Sequence, residues 1–152
     1  MKRLVASWFG TGLILGKVRD SDMGSGTVGA FFAAIFAVAI GETWGWAAQA
    51  AATVVVVLLS IWSTRAFVEE EGDAGWIVVD EAAGTFLALI GLALWPGGLV
   101  AWIVFRAADI FKRAFPGVAR AESLSGSVGV TMDDLVAGLY GLVAGHIVQS
   151  LI

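Results

Sequence analysis

Stretches such as Phe31 to Ile40 and Thr53 to Leu59 are apolar on every side. A half-buried strand alternates polar and apolar residues, and a surface helix keeps one polar stripe. These stretches do neither, so they belong in a large protein interior or in lipid. A chain of 152 residues cannot hide several such helices in one core. Composition agrees: 59% of residues are hydrophobic and 14% charged, where a soluble domain has about 45–50% and about 25%. Strand barrels need alternating polarity, so helix is the spanning state. The expected fold is all-α, an integral membrane helical bundle forming a single domain over residues 1–152.

Four or five apolar helices are expected, drawn at about 26–41, 46–67, 75–95, 97–112 and 130–152. Several approach the ~17–25 residues that cross a bilayer core. The first and fourth are short, which suits a tilted or re-entrant segment supported by its neighbours. Gly41 to Trp46, the acidic run Glu69 to Asp73 and Trp95-Pro96-Gly97-Gly98 separate the stretches, since glycine and proline stop helices. Pro116 to Gly129, rich in Gly and Ser, reads as a loop. Met1-Lys2-Arg3 and the apolar residues after it resemble a secretory signal, but Gly10-Thr11-Gly12 interrupts them and no small-residue cleavage site follows.

Charge fixes an orientation. With the amino terminus inside, loops 1–25, 65–74 and 106–129 lie inside and 41–46, 95–98 and the carboxyl terminus outside. All nine Lys and Arg then fall inside, as basic residues resist translocation. Trp44, Trp46 and Trp95 form the outer aromatic belt. The expected location is a bacterial cytoplasmic (inner) membrane, crossed several times.

The net charge of −4 and the lack of a basic stripe argue against a nucleic-acid partner. Without cysteine, thiolate metal sites, disulfides and cysteine nucleophiles are excluded. On the alternating path Asp80-Glu81 begin the third helix, Asp109 ends the fourth and Asp133-Asp134 begin the fifth, so the five acids converge at the inner surface. Carboxylates at the edge of apolar helices are costly and mark function; the bland alternative is solvated acids favoured at helix starts. Hard oxygen ligands without a His cluster suit Mg²⁺ or Mn²⁺. Arg106, Asp109 and Lys112 share one helix face, where Arg106 and Lys112 could hold phosphate oxygens.

Gly24 to Gly29 matches GxGxxG, but no buried strand precedes it, so a dinucleotide site is rejected. Backbone amides at that glycine-rich helix start, around Thr27, could still receive an anion, as could those around Thr11, although Gly10-Thr11-Gly12 reads equally as a plain turn. Gly138, Gly141 and Gly145 form a stripe suited to close helix packing. His146, the only histidine, lies about four turns beyond Asp133 and reads as structural.

These residues resemble the bacterial phosphatidylglycerophosphatase A family. Ser7 to Leu13 matches its SGFGTGL-like start, and Gly26-Thr27-Val28-Gly29 its PGTxGS. Asp73 with Ile77 to Gly84 matches DxxxIVxDExxG, Phe105 to Lys112 matches FRxxDIxK, and Gly129 to Gly138 matches GxxMxDDxxAG. Two departures are the absence of proline before Gly26 and Arg113 where the family has proline. The resemblance implies Mg²⁺-dependent hydrolysis of the terminal phosphate of phosphatidylglycerophosphate, a phospholipid substrate, giving phosphatidylglycerol.

Asp80, Glu81, Asp133 and Asp134 are expected to hold one or two Mg²⁺ ions, with Asp73 and Asp109 assisting and Arg106 and Lys112 gripping phosphate. Attack by water and attack by an aspartate both remain open, as does the oligomeric state. The rival is a small transporter or channel with intramembrane carboxylates, which expects acids spread through the bilayer depth. Orientation is testable because the native chain has no cysteine. A single cysteine introduced near residue 70 should resist an impermeant thiol reagent in intact cells; labelling from outside would reverse the topology.

Overall fold

The computed structural model describes residues 1–19, 21–72 and 74–152. Short helices α1 (Lys2–Ala6) and α2 (Ile14–Arg19) precede the long α3 (Ser25–Thr64), which is followed by the one-turn α4 (Val68–Glu71). Then come α5 (Val79–Ala88), α6 (Leu99–Ile110), α7 (Val118–Glu122) and α8 (Gly126–Ser150). No strand occurs among the described residues.

The first two expected helices are the two limbs of α3. At Gly45 the backbone has φ 83° and ψ 173°, a region essentially reserved for glycine. Beyond it the chain folds back, because Gln49 Nε2 donates to the Ala37 carbonyl at 3.1 Å. In an unbroken helix those residues would lie roughly 18 Å apart. Each limb, 25–44 and 46–64, is about 30 Å long at 1.5 Å per residue, close to the thickness of a bilayer core.

The third and fourth expected spans are shorter than drawn. Helix α5 has 10 residues and α6 has 12, about 15 and 18 Å, with an irregular connection over 90–98. Gly91 (φ +72°) and the cis Trp95–Pro96 bond belong to it. Irregular backbone survives at membrane depth only where protein satisfies it. Here Gln49 Oε1 accepts from Gly91 N, Gln149 Oε1 accepts from Ala93 N, and His146 Nε2 bonds the Ile90 carbonyl, each at 2.9 Å.

A further correction concerns 116–129, which contains α7 and the start of α8 instead of a loop. Asp133 and Asp134 therefore sit two turns inside α8, and both are buried. The solvated helix-start explanation does not apply to them.

Large apolar side chains coat the outside of the long helices. Phe31, Ile35, Phe36, Val54, Val55 and Leu58 on α3, and Leu139, Val143 and Ile147 on α8, are all half exposed or more. Helices Ser25–Thr64 and Gly126–Ser150 are long and apolar enough to cross a membrane. An apolar belt of this kind needs lipid around it, and the chain is a helical membrane protein. The Gly45 turn, the 90–98 connection and the end of α8 meet at one end of the bundle: Gly91 lies against His146 and Trp46, and Gly97 against Gln149. Charged residues gather at the other end, where the Lys2 ammonium lies over Trp62, the Arg3 guanidinium over Trp76, and Val78 N donates to the Ala6 carbonyl.

Helices α5, α6 and α8 pack through small residues. A Cβ on Gly138 would lie 2.6 Å from the Gly84 carbonyl oxygen, one on Gly141 2.5 Å from that of Ala101, and one on Gly145 2.8 Å from that of Gly97. Such contacts let apolar helices approach closely without a hydrophobic driving force between them. Gly138→Val should lower stability by about 1–3 kcal/mol, as overpacking does. Ala47→Leu, on the exposed face of α3, should change little. Thermal unfolding of the detergent-solubilised protein checks this, and equal melting temperatures for the two variants would contradict the packing account.

Candidate functional site

Helix spacing explains why the acids meet. Gly84 is one turn beyond Asp80 on α5, and Gly138 one turn beyond Asp134 on α8. Contact between these glycines brings the preceding turns together. Asp80, Glu81 and Asp134 each offer a carboxylate oxygen, and these oxygens lie within 4.8 Å of one another. Asp80 and Asp134 are buried and Glu81 is partly so. Asp134 Oδ1 is buried without a hydrogen bond. Three clustered carboxylates with no sulfur and no imidazole could hold a metal ion, and the donor set suits a hard cation.

The start of α3 closes one side of this cluster. A Cβ on Gly26 would collide with Glu81 Oε1 and lie 3.2 Å from Arg106 Nη2, so only glycine lets the helix start reach the acids. Thr27 follows, and Arg106 Nη2 donates to its hydroxyl at 3.4 Å. Arg106 is buried near the end of α6 and pairs with Asp109 through Nη1 at 2.6 Å. A guanidinium presents a planar donor fork, which suits phosphate oxygens.

Asp133 faces another cation. Lys112 Nζ donates to Asp133 Oδ2 at 2.6 Å and to Glu122 Oε1 at 3.0 Å. Burial alone would lower the pKa of this ammonium, but the hydrogen bond and charge of Asp133, then Glu122 and Asp109, outweigh burial and raise it above the ordinary lysine value. Lys112 is therefore charged at neutral pH. Asp133 Oδ1 also accepts from Asp134 N at 3.0 Å.

Of the expected site residues, Asp80, Glu81 and Asp134 come together, with Arg106 and Thr27 beside them. Asp109 and Asp133 sit next to that group, each engaged by a cation. The Thr11 hydroxyl is used locally, donating to the carbonyls of Ser7 and Trp8 at 3.2 and 2.9 Å. Asp73 lies outside the described residues. Glu122 was not anticipated, because it falls in the segment read as a loop. Thr85, one turn beyond Glu81, adds a buried hydroxyl with no hydrogen bond. His146 is at the far end, on the Ile90 carbonyl. Acids are not spread through the bundle as an ion path would need: of those described within the long helices, Glu42 alone lies toward the far end, where it shares a cleft with Trp46, Gln49 and Gly91.

A family model described as phosphatidylglycerophosphatase A matches residues 4–149. The chain belongs to that family. A curated relative from Bacteroides thetaiotaomicron is 31% identical over 149 residues, covering 92% of this chain and 88% of its own length. Its name reads "Putative phosphatidylinositol-3-phosphatase". No solved structure matches the chain at a significant level. Family and relative are both named as phosphatases of lipids, and the chain is an enzyme of that class.

Unequal pairing within the site makes a prediction about stability. Asp133→Asn removes the charged acceptor from Lys112 and should cost about 1.5–3 kcal/mol. Asp134→Asn removes one of several crowded acids and, in the presence of a chelator, should leave the melting temperature unchanged or higher. Unfolding scans of both variants with chelator present would contradict this electrostatic account if the order were reversed.

Proposed function

We propose that this enzyme removes the terminal phosphate of phosphatidylglycerophosphate with the aid of Mg²⁺, at the cytoplasmic face of a bacterial inner membrane. The observation that carries the reading is the juxtaposition of the three-carboxylate cluster with the Arg106–Thr27 pair, within a chain of the phosphatidylglycerophosphatase A family. Orientation rests on the expected retention of basic residues inside, and the basic residues and the acid cluster share one end of the bundle.

Asp80, Glu81 and Asp134 would hold the cation, a fit supported by the oxygen-only donors and by the unbonded Asp134 Oδ1. When bound, the ion supplies positive charge that stabilises the phosphoryl oxygens and acidifies a water. Arg106 orients the terminal phosphate through its fork, with Asp109 fixing the guanidinium. Thr27 and the first backbone amides of α3 receive a second phosphate oxygen. Lys112, steadied by Asp133 and Glu122, adds charge as negative charge develops on the leaving oxygen. Phosphoryl transfer needs mainly such positioning and charge stabilisation.

Phosphate release from detergent-solubilised phosphatidylglycerophosphate, with and without Mg²⁺, is the decisive measurement. Asp80→Asn and Asp134→Asn should each lower the rate by about 10²–10³-fold, typical for loss of one preorganised charge-stabilising group. His146→Ala should keep most activity. Phosphatidylinositol 3-phosphate, run in parallel, tests selectivity. Near-normal turnover in both Asn variants would remove the carboxylate cluster from the mechanism, and exclusive turnover of the inositol lipid would reassign the substrate.

A further inference from the structure

A lipid phosphatase must place the reacting phosphate while the rest of the substrate stays in the membrane. Beside the site, a groove of about 480 Å³ lies between the first limb of α3 and α6. Phe31, Ile35 and Val38 line one wall, Leu99 and Trp102 the other, and Glu42 stands at the far end. Apart from Glu42, these lining side chains are apolar. The volume is within the range of small-ligand sites.

The walls of the groove run along the helix faces that lead to Thr27 and Arg106. Phe31 is one turn from Thr27 on α3, and Trp102 one turn from Arg106 on α6, so each wall is the direct extension of a helix face that carries a site residue. The Arg106–Thr27 contact at 3.4 Å lies at the head of the groove. The Arg106 donor fork at the head, with apolar walls below, matches a phosphate headgroup followed by a hydrocarbon chain. From Phe31 to Glu42 the α3 wall runs about 16 Å, near half the ~30 Å apolar core and so comparable to the depth of one leaflet.

Two other apolar grooves lack this connection. The one lined by Val104, Leu139, Val143 and Ile147 is bounded toward the charged end by the Tyr140 hydroxyl, which donates to the Pro116 carbonyl at 2.8 Å. The one between Trp8, Phe36, Val56 and Phe86 lies under the amino-terminal segment, and no residue lining it is one turn from Thr27 or Arg106.

We propose that the groove between α3 and α6 seats one acyl chain of the lipid substrate and thereby sets where the headgroup stops relative to Arg106. This rests on the phosphatase reading above. Because the chain moves from lipid into a lipid-like groove, little affinity comes from leaving water. The gain is in orientation, where a misplacement of about 1 Å can cost on the order of 10²-fold in rate. The groove is thus a specificity-determining site for chain length.

Ile35→Trp and Ala39→Trp fill the groove one turn apart at exposed positions; Val143→Trp fills the second groove as a control. Rates are measured on dipalmitoyl and dioctanoyl phosphatidylglycerophosphate and on the deacylated headgroup phosphate. Ile35→Trp should lower kcat/KM on both lipids by about tenfold and leave the headgroup compound unchanged. Ala39→Trp should affect the long-chain lipid alone, and Val143→Trp neither. A lipid phosphate with a photoreactive chain should label residues 31–42 or Trp102 in the wild-type protein, whether or not it is turned over. Unchanged chain-length preference in both α3 variants, or labelling spread evenly around the apolar belt, overturns the acyl site. Groove labelling without hydrolysis of either lipid would instead sink the phosphatase reading and leave the groove as a lipid site.

Discussion

The approach of α5 to α8 at Gly84 and Gly138 is the contact on which the rest of the arrangement depends. With a side chain at either position the helices would have to separate, since the Gly84 carbonyl occupies the space a Cβ on residue 138 would take. Close approach brings two acids of one helix to a third on the other, in surroundings that screen charge poorly. Around them stand Asp109, Asp133 and Glu122, giving six carboxylates against the two cations Arg106 and Lys112. Arg106 engages Asp109, and Lys112 engages both Asp133 and Glu122. Carboxylate oxygens of Asp80, Glu81 and Asp134 gathered within 4.8 Å of one another repel, and a cation among them relieves that repulsion, which is the physical basis for reading the cluster as a cation site.

The two cations are held in different ways. Arg106 is buried with its partner Asp109 one turn away on the same helix, so the pair moves as a unit with α6. Lys112 stands past the end of α6 and joins α7 to α8 through Glu122 and Asp133. It therefore ties a mobile-length side chain to two elements that the sequence alone would not bring together. A rigid fork near the acid cluster and a flexible point charge at its edge suit binding of an oxyanion and response to charge that develops during reaction.

Much of this was legible in the sequence because lipid removes ambiguity. Runs apolar on all sides could only be helices, and the segregation of charge placed the acids of three distant segments at one end. The Gly138, Gly141 and Gly145 stripe announced its close contacts. What was not legible depended on tertiary hydrogen bonds. Gly45 permits a turn without a loop, so two expected helices meet at one residue. The 75–95 stretch looks long enough to span and 97–112 reads as short, yet only Val79–Ala88 and Leu99–Ile110 are helical, because Gln49, His146 and Gln149 from other helices satisfy the broken backbone between them. His146 reads as structural from the sequence and does serve the backbone, while Gln49 and Gln149 carry no local sign of the same role. Glu122 was hidden for the converse reason: Gly and Ser around it resembled a loop, and nothing local showed that Lys112 lies opposite.

This division of labour between the two ends explains how a thin bundle can act on a lipid headgroup. At the far end, Gln49, His146 and Gln149 bond carbonyls and amides of the irregular 89–98 segment, so side-chain hydrogen bonds hold the fold there. Short α5 and α6 can then direct their charged termini to the opposite end, Asp80 and Glu81 at the start of one and Arg106 and Asp109 at the close of the other. The first limb of α3 starts at the same level, with Gly26 against Glu81 and Arg106. Anionic and cationic groups are thus set at the depth where an apolar belt ends, which is where a phospholipid carries its own phosphate. The substrate need not leave the bilayer, because the helices carry the chemistry to the headgroup.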